Sequence, residues 1–248
     1  KSVFAANLAL AYALETKQRP LLIDLDLTSL GDQNLIVGAK SPKNIVDISR
    51  YNDGAFDLKN LVPMMATTPS GMSFISSPTD ALVARGLDID GLGRFLKAST
   101  AIFPFVVVDC GSSIEPAAVK VFEHATVIFV VTVQDVIVVN QTKRVLSKIQ
   151  DHLFPAEMVQ IVVNRFNAQA IVTPQIIQQS IGNKALLAAI PDDSATCSAS
   201  ISSSRPFVVA APQAPITRAF HDLIRKLNQS NLLNQLASLK KPTGAATK

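Results

Sequence analysis

Short apolar runs of strand length alternate with helical patterns along most of this chain. The runs are "PLLIDLD" at 20–26, "FPFVVVDC" at 103–110, "ATVIFVVTV" at 125–133, "MVQIVVNRF" at 158–166 and the shorter "ALLAAIP" at 185–191. Helical periodicity lies between and around them, at 2–16, 88–100, 115–123, 137–151, 173–181 and 215–228. Continuous apolar runs of this length indicate strands that are buried on both faces. The alternation predicts an α/β fold with a mainly parallel, twisted sheet and helices on both of its faces.

Composition limits the classes of protein that fit. The 248 residues are 48% hydrophobic, which is enough for one large α/β domain with a sizeable core. Cys110 and Cys197 lie far apart and form no CxxC pair, which argues against a disulfide framework or a thiolate zinc site. The net charge of +4 is too mild to indicate nucleic acid or anionic lipid as a partner. The Ser-rich segment 194–206 has little periodicity and predicts a loop with at most a short helix.

The opening stretch "KSVFAANLALAYAL" has two competing interpretations. A lone Lys before apolar residues, followed by "AYA", is typical of a secretory signal peptide. Asn7 interrupts that apolar region, and the residues around it recur at helical spacing, which favours a helix buried on one side. Lys1 and Ser2 also match the end of a phosphate-binding loop, in which the Lys reaches the phosphates and the Ser holds Mg²⁺. The alternative for Ser2 is a simple helix cap.

Polar residues stand where the predicted strands end. Asp24 and Asp26 close the first run, and Asp109 closes the second. Asn164 ends the fourth run, and Asp192 follows the fifth. One such residue would indicate no more than the start of a polar loop. Because ligands of parallel sheets bind at the carboxyl ends of the strands, the recurrence predicts a shared site.

These residue types suit a metal-bound nucleotide. Such a ligand needs a carboxylate at the end of a buried strand, and Asp109 after "FVVV" has that position. Gly111 would let the backbone approach a γ-phosphate, because glycine has no Cβ. Asp24 and Asp26 lie two residues apart, and we expect them to have different roles. One of the two would then orient a water molecule, and the other would have a structural role.

In their order and spacing these segments resemble the MinD/ParA superfamily of P-loop ATPases. "PLLIDLDLTSLGD" is similar to the segment after the first helix of that family, and its "DLDLxxxGD" form is closest to the CpaE/TadZ branch of Flp/Tad pilus assembly. "FVVVDCGSS" resembles the second switch, and "IVVNRF" resembles the segment that contacts the nucleotide base. "AAIPDDSATCSASISSSRPFVVAAPQAPITRAFHDL" resembles the family's last segment.

The resemblance implies a domain organisation. Residues 1–228 would form an ATPase-like domain of the deviant Walker type, and 229–248 would form a C-terminal helix and a disordered tail. The chain would begin inside the phosphate loop, so that the first strand, the Gly-rich loop and a receiver-like domain would lie upstream. The tail "SNLLNQLASLKK" has a leucine stripe that ends in two lysines, as in a membrane-surface helix. The alternative is that this helix packs on protein.

The resemblance also implies cofactors and residue roles. ATP and Mg²⁺ would be bound, with Lys1 on the phosphates and Ser2 on the metal. Three carboxylates would be catalytic: Asp24, Asp26 and Asp109. Asp24 would lie near the hydrolytic water with Asp26 beside it, and Asp109, the Walker B-like residue, would also serve the metal. Asn164 would contact the adenine, and Asp192 would lie near the base or ribose.

The function implied is that of a nucleotide-dependent homodimer that positions or assembles a Flp/Tad-type pilus or secretion apparatus. It would be cytoplasmic, at a cell pole or the inner face of the membrane. One alternative is a ParA/MinD-like partitioning, division-site or flagellar positioning ATPase, with DNA, the less favoured partner, or a membrane surface as its target. Another is a pseudo-ATPase scaffold. "DCGSS" lacks the Pro pair of many ParA-like switches, which predicts slow or absent hydrolysis.

Overall fold

The structure is a computed structural model that describes residues 1–52 and 56–229. The described residues form two compact units. The first comprises Lys1–His124 and Asp193–His221, and the second comprises Ala125–Asp192 and, of the described residues after it, Asp222–Gln229. After Gln229, the predicted C-terminal helix and tail, with their leucine stripe and membrane contact, lie outside the described residues.

Helices and strands alternate along the described chain. The strands are β1 Leu21–Asp24, β2 Ala66–Thr67, β3 Ser73–Ile75, β4 Val106–Asp109, β5 Ile128–Thr132, β6 Val159–Phe166 and β7 Leu186–Pro191. The helices are α1 Ser2–Thr16, α2 Asp32–Val37, α3 Ile45–Ser49, α4 Leu58–Leu61, α5 Ala81–Ala84, α6 Ile89–Ile102, α7 Pro116–His124, α8 Val136–Asp151, α9 Pro174–Ser180, α10 Ser194–Ser202, α11 Phe207–Ala210 and α12 Pro215–Gln229. Each strand and helix that the sequence predicts within the described residues is present, with bounds that differ by a few residues.

The first unit contains a four-stranded sheet in the order β2-β3-β1-β4. β1 is parallel to both of its neighbours, and β2 pairs antiparallel to β3. Along the β1–β4 pair, Leu21 is opposite Val106 and Asp24 is opposite Asp109. All four residues of β1 are buried, as its apolar sequence predicts. The predicted parallel pairing of the strand ending at Asp24 with the strand ending at Asp109 is confirmed.

The second unit contains a three-stranded parallel sheet in the order β5-β6-β7. Its central strand, β6, is regular against β5 and irregular against β7 between Val163 and Phe166. In both units the sheets are mostly parallel and flanked by helices, which confirms the predicted α/β class. Among the described residues no helix is both long enough and apolar enough to span a membrane.

α1 is buried on all sides, whereas the sequence predicted one buried side. Nine consecutive residues, from Phe4 to Tyr12, are buried, because α1 contacts β1, β4, α2 and α11. Asn7 fits this apolar setting because its amide is satisfied: Nδ2 donates to the Val3 carbonyl at 2.8 Å, and Oδ1 accepts from the Val208 N–H at 3.1 Å. The apolar opening stretch is therefore a core helix of the first unit.

The Ser-rich segment 194–206 contains the short helix α10, followed by a turn. The Asp193 side chain caps this helix by accepting from the Thr196 N–H at 3.1 Å. Such a cap satisfies one of the free amide groups of the first turn, which offsets the weak helix propensity of serine. Nine residues of the segment are helical as a result.

Candidate functional site

Two carboxylates lie side by side where β1 and β4 end. Asp24 and Asp109 are register partners on these adjacent parallel strands, and the Leu25 N–H donates to the Asp109 carbonyl at 2.9 Å. Both side chains are buried, at 1% and 4% exposure. The carboxyl end of the sheet therefore concentrates negative charge inside the first unit, as the strand-end pattern predicted.

Asp24 is held by two donors. The Ser77 hydroxyl donates to Oδ2 at 2.7 Å, and the Asp26 N–H donates to Oδ1 at 3.1 Å. Burial raises the pKa of Asp24 to about 6, the negative charge of Asp109 adds to the rise, and the two hydrogen bonds oppose it. Asp24 is therefore a carboxyl group that titrates near neutral pH.

Asp26 lies in the turn after β1. β1 ends at Asp24, so Asp26 is not a residue of the strand. Oδ1 of Asp26 accepts from the N–H groups of Thr28 at 3.0 Å and Ser29 at 3.2 Å, and Oδ2 accepts from the Ser29 hydroxyl at 2.9 Å. Burial alone would raise the pKa of Asp26, but these hydrogen bonds outweigh it and hold the pKa below its usual range.

Gly111 packs directly against the Asp26 carboxylate. Its φ is +68°, and a Cβ at this position would lie 2.6 Å from Asp26 Cγ and 2.7 Å from Oδ1. Its N–H donates to Asp109 Oδ1 at 3.2 Å. The sequence predicted that the missing Cβ of Gly111 leaves room for a γ-phosphate. In the structure the Asp26 carboxylate is the group nearest to that position. Cys110 lies between Asp109 and Gly111 in the sequence. Burial raises the pKa of its thiol to about 12, and the negative charges of Asp109 and Asp26 add to the rise.

Gln33 connects the start of α1 to the end of β4. Its Nε2 donates to the Ser2 carbonyl at 3.1 Å and to Asp109 Oδ2 at 3.2 Å, and the side chain is 1% exposed. Ser2 and Asp109, which the sequence predicted to serve one metal, are therefore brought together through one amide. The sequence did not predict Gln33, because a glutamine in a polar turn carries no distinctive signal.

The first turn of α1 is suited to an anion. It contains no acidic side chain and no side-chain cap, and Lys1 at its start is exposed. The free N–H groups and the positive end of the helix dipole favour phosphate at such a position.

The residues present fit Mg²⁺ that arrives with a nucleotide. The hydroxyl of Ser2 and the carboxylate of Asp109 are hard oxygen ligands of the kind Mg²⁺ prefers. Within residues 1–52 and 56–229, no three His, Cys, Asp or Glu side chains are grouped so as to hold a metal alone. Mg²⁺ commonly binds through one or two protein groups, water and substrate phosphates, so a partial protein site is sufficient.

Asn164 and Asp192 belong to the second unit. Asn164 is half-buried near the end of β6, next to Arg165, whose φ of +51° marks the irregular stretch against β7. Asp192 is exposed just after β7, and its N–H donates to the Phe166 carbonyl at 3.0 Å. The carboxyl ends of two neighbouring strands therefore present both residues. Their contacts with a base or ribose stay predictions.

The fold is similar to that of P-loop ATPases of the MinD/ParA type. Three solved structures illustrate the likeness. The ParA family ATPase from Chlorobium tepidum TLS superimposes with a TM-score of 0.84 at 23% sequence identity, over 90% of this chain and 92% of that chain. The septum site-determining protein MinD complexed with Mg-ADP from Pyrococcus horikoshii OT3 superimposes with a TM-score of 0.71 at 18% sequence identity, over 97% of this chain and 93% of that chain. For the MinC:MinD cell division protein complex from Aquifex aeolicus the TM-score is 0.75 at 16% sequence identity, over 92% of this chain and 90% of that chain.

No protein-family model matches the chain, and no curated relative does either. At identities of this size the structural likeness establishes the fold, and the predicted MinD/ParA fold is confirmed.

Proposed function

We propose that this chain is an ATPase-like nucleotide-binding protein of the ParA/MinD type, which binds ATP with Mg²⁺ and acts as a homodimer. The observation that carries the proposal is the hydrogen-bonded link from Ser2 through Gln33 to Asp109. It joins a helix start suited to phosphate to a carboxylate suited to Mg²⁺. The MinD of similar fold that contains Mg-ADP supports the same ligand class.

Each site residue has a proposed part. Lys1 neutralises phosphate charge, while the hydroxyl of Ser2 and the carboxylate of Asp109 hold the metal and its water. Bound ATP supplies the phosphoryl group that is transferred to water. Asn164 and Asp192 retain the base and ribose roles that the family resemblance implies.

Hydrolysis is proposed to be slow. Of the two neighbouring carboxylates Asp24 and Asp26, Asp26 is the more accessible, at 9% exposure against 1% for Asp24. Thr28 and Ser29 donate to both of its oxygens and hold its pKa low. A carboxylate of low pKa is a weak proton acceptor, so it orients water better than it activates it. Slow turnover would let a nucleotide-bound dimer persist.

At the cellular level, we propose a role in positioning or assembling a Flp/Tad-type pilus or secretion apparatus at a cell pole or the inner face of the membrane. The support is the "DLDLTSLGD" form of the segment after β1. A ParA/MinD-like role in partitioning, division-site or flagellar positioning is the second candidate. It is favoured by the structural neighbours, which include a ParA family ATPase and MinD proteins.

Calorimetry on the full-length protein tests nucleotide binding. Lys1→Ala should weaken ATP affinity by about tenfold or more, because it removes a charge-assisted contact with phosphate. Asp109→Ala should remove mainly the Mg²⁺ dependence of binding. Lys97→Ala, at an exposed lysine of α6, is the matched control and should bind like the wild type. Equal ATP affinity of the wild type and Lys1→Ala would reject the proposed role of Lys1.

A steady-state ATPase assay separates the cellular alternatives. We expect slow turnover with and without DNA, liposomes or pilus components. Fast turnover stimulated by DNA would favour a ParA-like function, and stimulation by liposomes would favour a MinD-like one. A protein with neither turnover nor nucleotide affinity would be a scaffold, which contradicts the proposal.

A further inference from the structure

Gln33 has an unsatisfied side-chain oxygen. Because the Ser2 carbonyl and Asp109 Oδ2 are both acceptors, the atom that contacts them must be the donor Nε2, and Oε1 is the amide's remaining polar atom, about 2 Å from Nε2. Oε1 is buried and has no hydrogen-bond partner. In the described part of the chain one other buried side-chain oxygen shares this condition, Oδ1 of Asn34, the next residue of α2. Buried polar atoms are nearly always paired, so an orphan beside a ligand site indicates a partner supplied by the ligand.

The chemistry of the ligand limits which of its groups can be the hydrogen-bond partner of Oε1. Oε1 is an acceptor and needs a donor. Phosphate oxygens at neutral pH are themselves acceptors, so they cannot satisfy it. The donor that Mg²⁺ and a nucleotide bring to this position is water bound to the metal, since Mg²⁺ usually keeps several of its waters.

We propose that Gln33 is a positioning residue of the Mg²⁺ site. Its N–H groups hold Asp109 against the start of α1, and its Oε1 accepts a hydrogen bond from metal-bound water. This inference rests on the nucleotide-binding function proposed above. Glutamine suits both tasks, because one neutral amide carries a donor, which contacts Ser2 and Asp109, and an acceptor beside it. Glutamate at the same position would lose both donors and place a second negative charge beside Asp109.

Two substitutions alter the Gln33 side chain in different ways. Gln33→Met keeps the length and approximate volume of the side chain and removes all of its polar atoms. Gln33→Glu keeps the shape and adds a negative charge in direct contact with a proposed metal ligand. Leu35→Glu is the matched control, because it adds the same charge to α2 at a side chain that is 63% exposed.

The test measures the binding of a fluorescent ADP analogue to the full-length protein as Mg²⁺ is titrated. Gln33→Met should raise the Mg²⁺ concentration for half-maximal binding about tenfold, as loss of an outer-shell contact commonly does. Its affinity for the nucleotide in excess EDTA should match that of the wild type. Gln33→Glu should lower the Mg²⁺ midpoint, because added negative charge attracts the cation. Leu35→Glu should leave the midpoint unchanged.

Several results would overturn the inference. Thermal unfolding of the nucleotide-free variants establishes that they are folded, and unchanged Mg²⁺ midpoints in folded Gln33→Met and Gln33→Glu would refute it. If neither variant folds, a crystal structure of the wild type with Mg²⁺ and ADP decides. A Gln33 Oε1 without a water donor there would overturn the proposal. A wild type that binds no nucleotide would instead refute the proposed function, so the two failures are distinguishable.

Discussion

Asp24→Asn should stabilise the nucleotide-free protein at neutral pH. In the wild type, an ionised carboxylate is buried beside Asp109, and burial is the main reason that its pKa is raised to about 6. Asparagine has the same shape and no charge. Its oxygen can still accept from the Asp26 N–H, and the Ser77 hydroxyl can rotate to accept from the new amide. The substitution therefore removes a desolvation cost and keeps the hydrogen bonds with the Ser77 hydroxyl and the Asp26 N–H.

The size of the effect follows from the pKa. The difference between 3.8 and about 6, at 1.36 kcal/mol for each pKa unit, corresponds to about 3 kcal/mol in the free energy of unfolding. The pKa is raised in the folded state, so protonated Asp24 stabilises the fold. Its contribution is complete below the unfolded pKa of 3.8 and is lost as the pH rises through about 6.

Urea unfolding of wild type and Asp24→Asn across this pH range measures the difference. As the pH rises from below 3.8 to above 6, the free energy of unfolding of the variant should increase by about 3 kcal/mol relative to that of the wild type. The lowered pKa of Asp26 acts below the usual range of a carboxyl group, and so outside this window. Asp151→Asn, at an exposed position, is the control and should parallel the wild type. If Asp24→Asn also paralleled the wild type at every pH, the reasoning about desolvation would be refuted.

Two further predictions concern the segment after β4. Gly111→Ala should destabilise the fold by more than the about 1–3 kcal/mol of a left-handed backbone alone, because the new Cβ would lie 2.6 Å from Asp26 Cγ. Gly71→Ala, at φ +86° with nothing within 4 Å, should cost only the backbone strain, and equal losses in urea unfolding would contradict the steric argument. Cys110 should react with iodoacetamide about a thousandfold more slowly in the native chain than in urea, because a pKa raised from 9.0 to about 12 leaves little thiolate. Mass spectrometry of Cys110 measures both rates, and similar rates would show that the thiol is not buried.

Local sequence was sufficient for the strands that carry the site. Each of β1 and β4 is an apolar run closing on an aspartate, and hydrophobic periodicity is a property of the residues themselves. Once these runs are strands of one parallel sheet, chain direction brings Asp24 and Asp109 to the same edge. The same reasoning placed Asn164 and Asp192 at the ends of neighbouring strands in the second unit.

Tertiary structure decided what local pattern could not. β3 has only three residues, and its place beside β1 depends on pairing with a distant segment, so the sequence did not predict it. α1 is buried on all sides because of what surrounds it, and its own periodicity indicated one side. Such features depend on contacts between residues far apart in the chain.

The candidate site shows the same division. The aspartates could be chosen from sequence because a carboxylate after an apolar strand has recognisable chemistry. Gln33 could not, because an amide acquires its role only when folding places an acceptor on each side of its N–H groups. Likewise Asp24 and Asp26, two residues apart, differ in pKa because β1 ends between them: one is desolvated within the sheet, and the other is surrounded by donors in the turn. Residue type is set by the sequence, but desolvation and hydrogen bonding are set by neighbours that only the folded chain assembles.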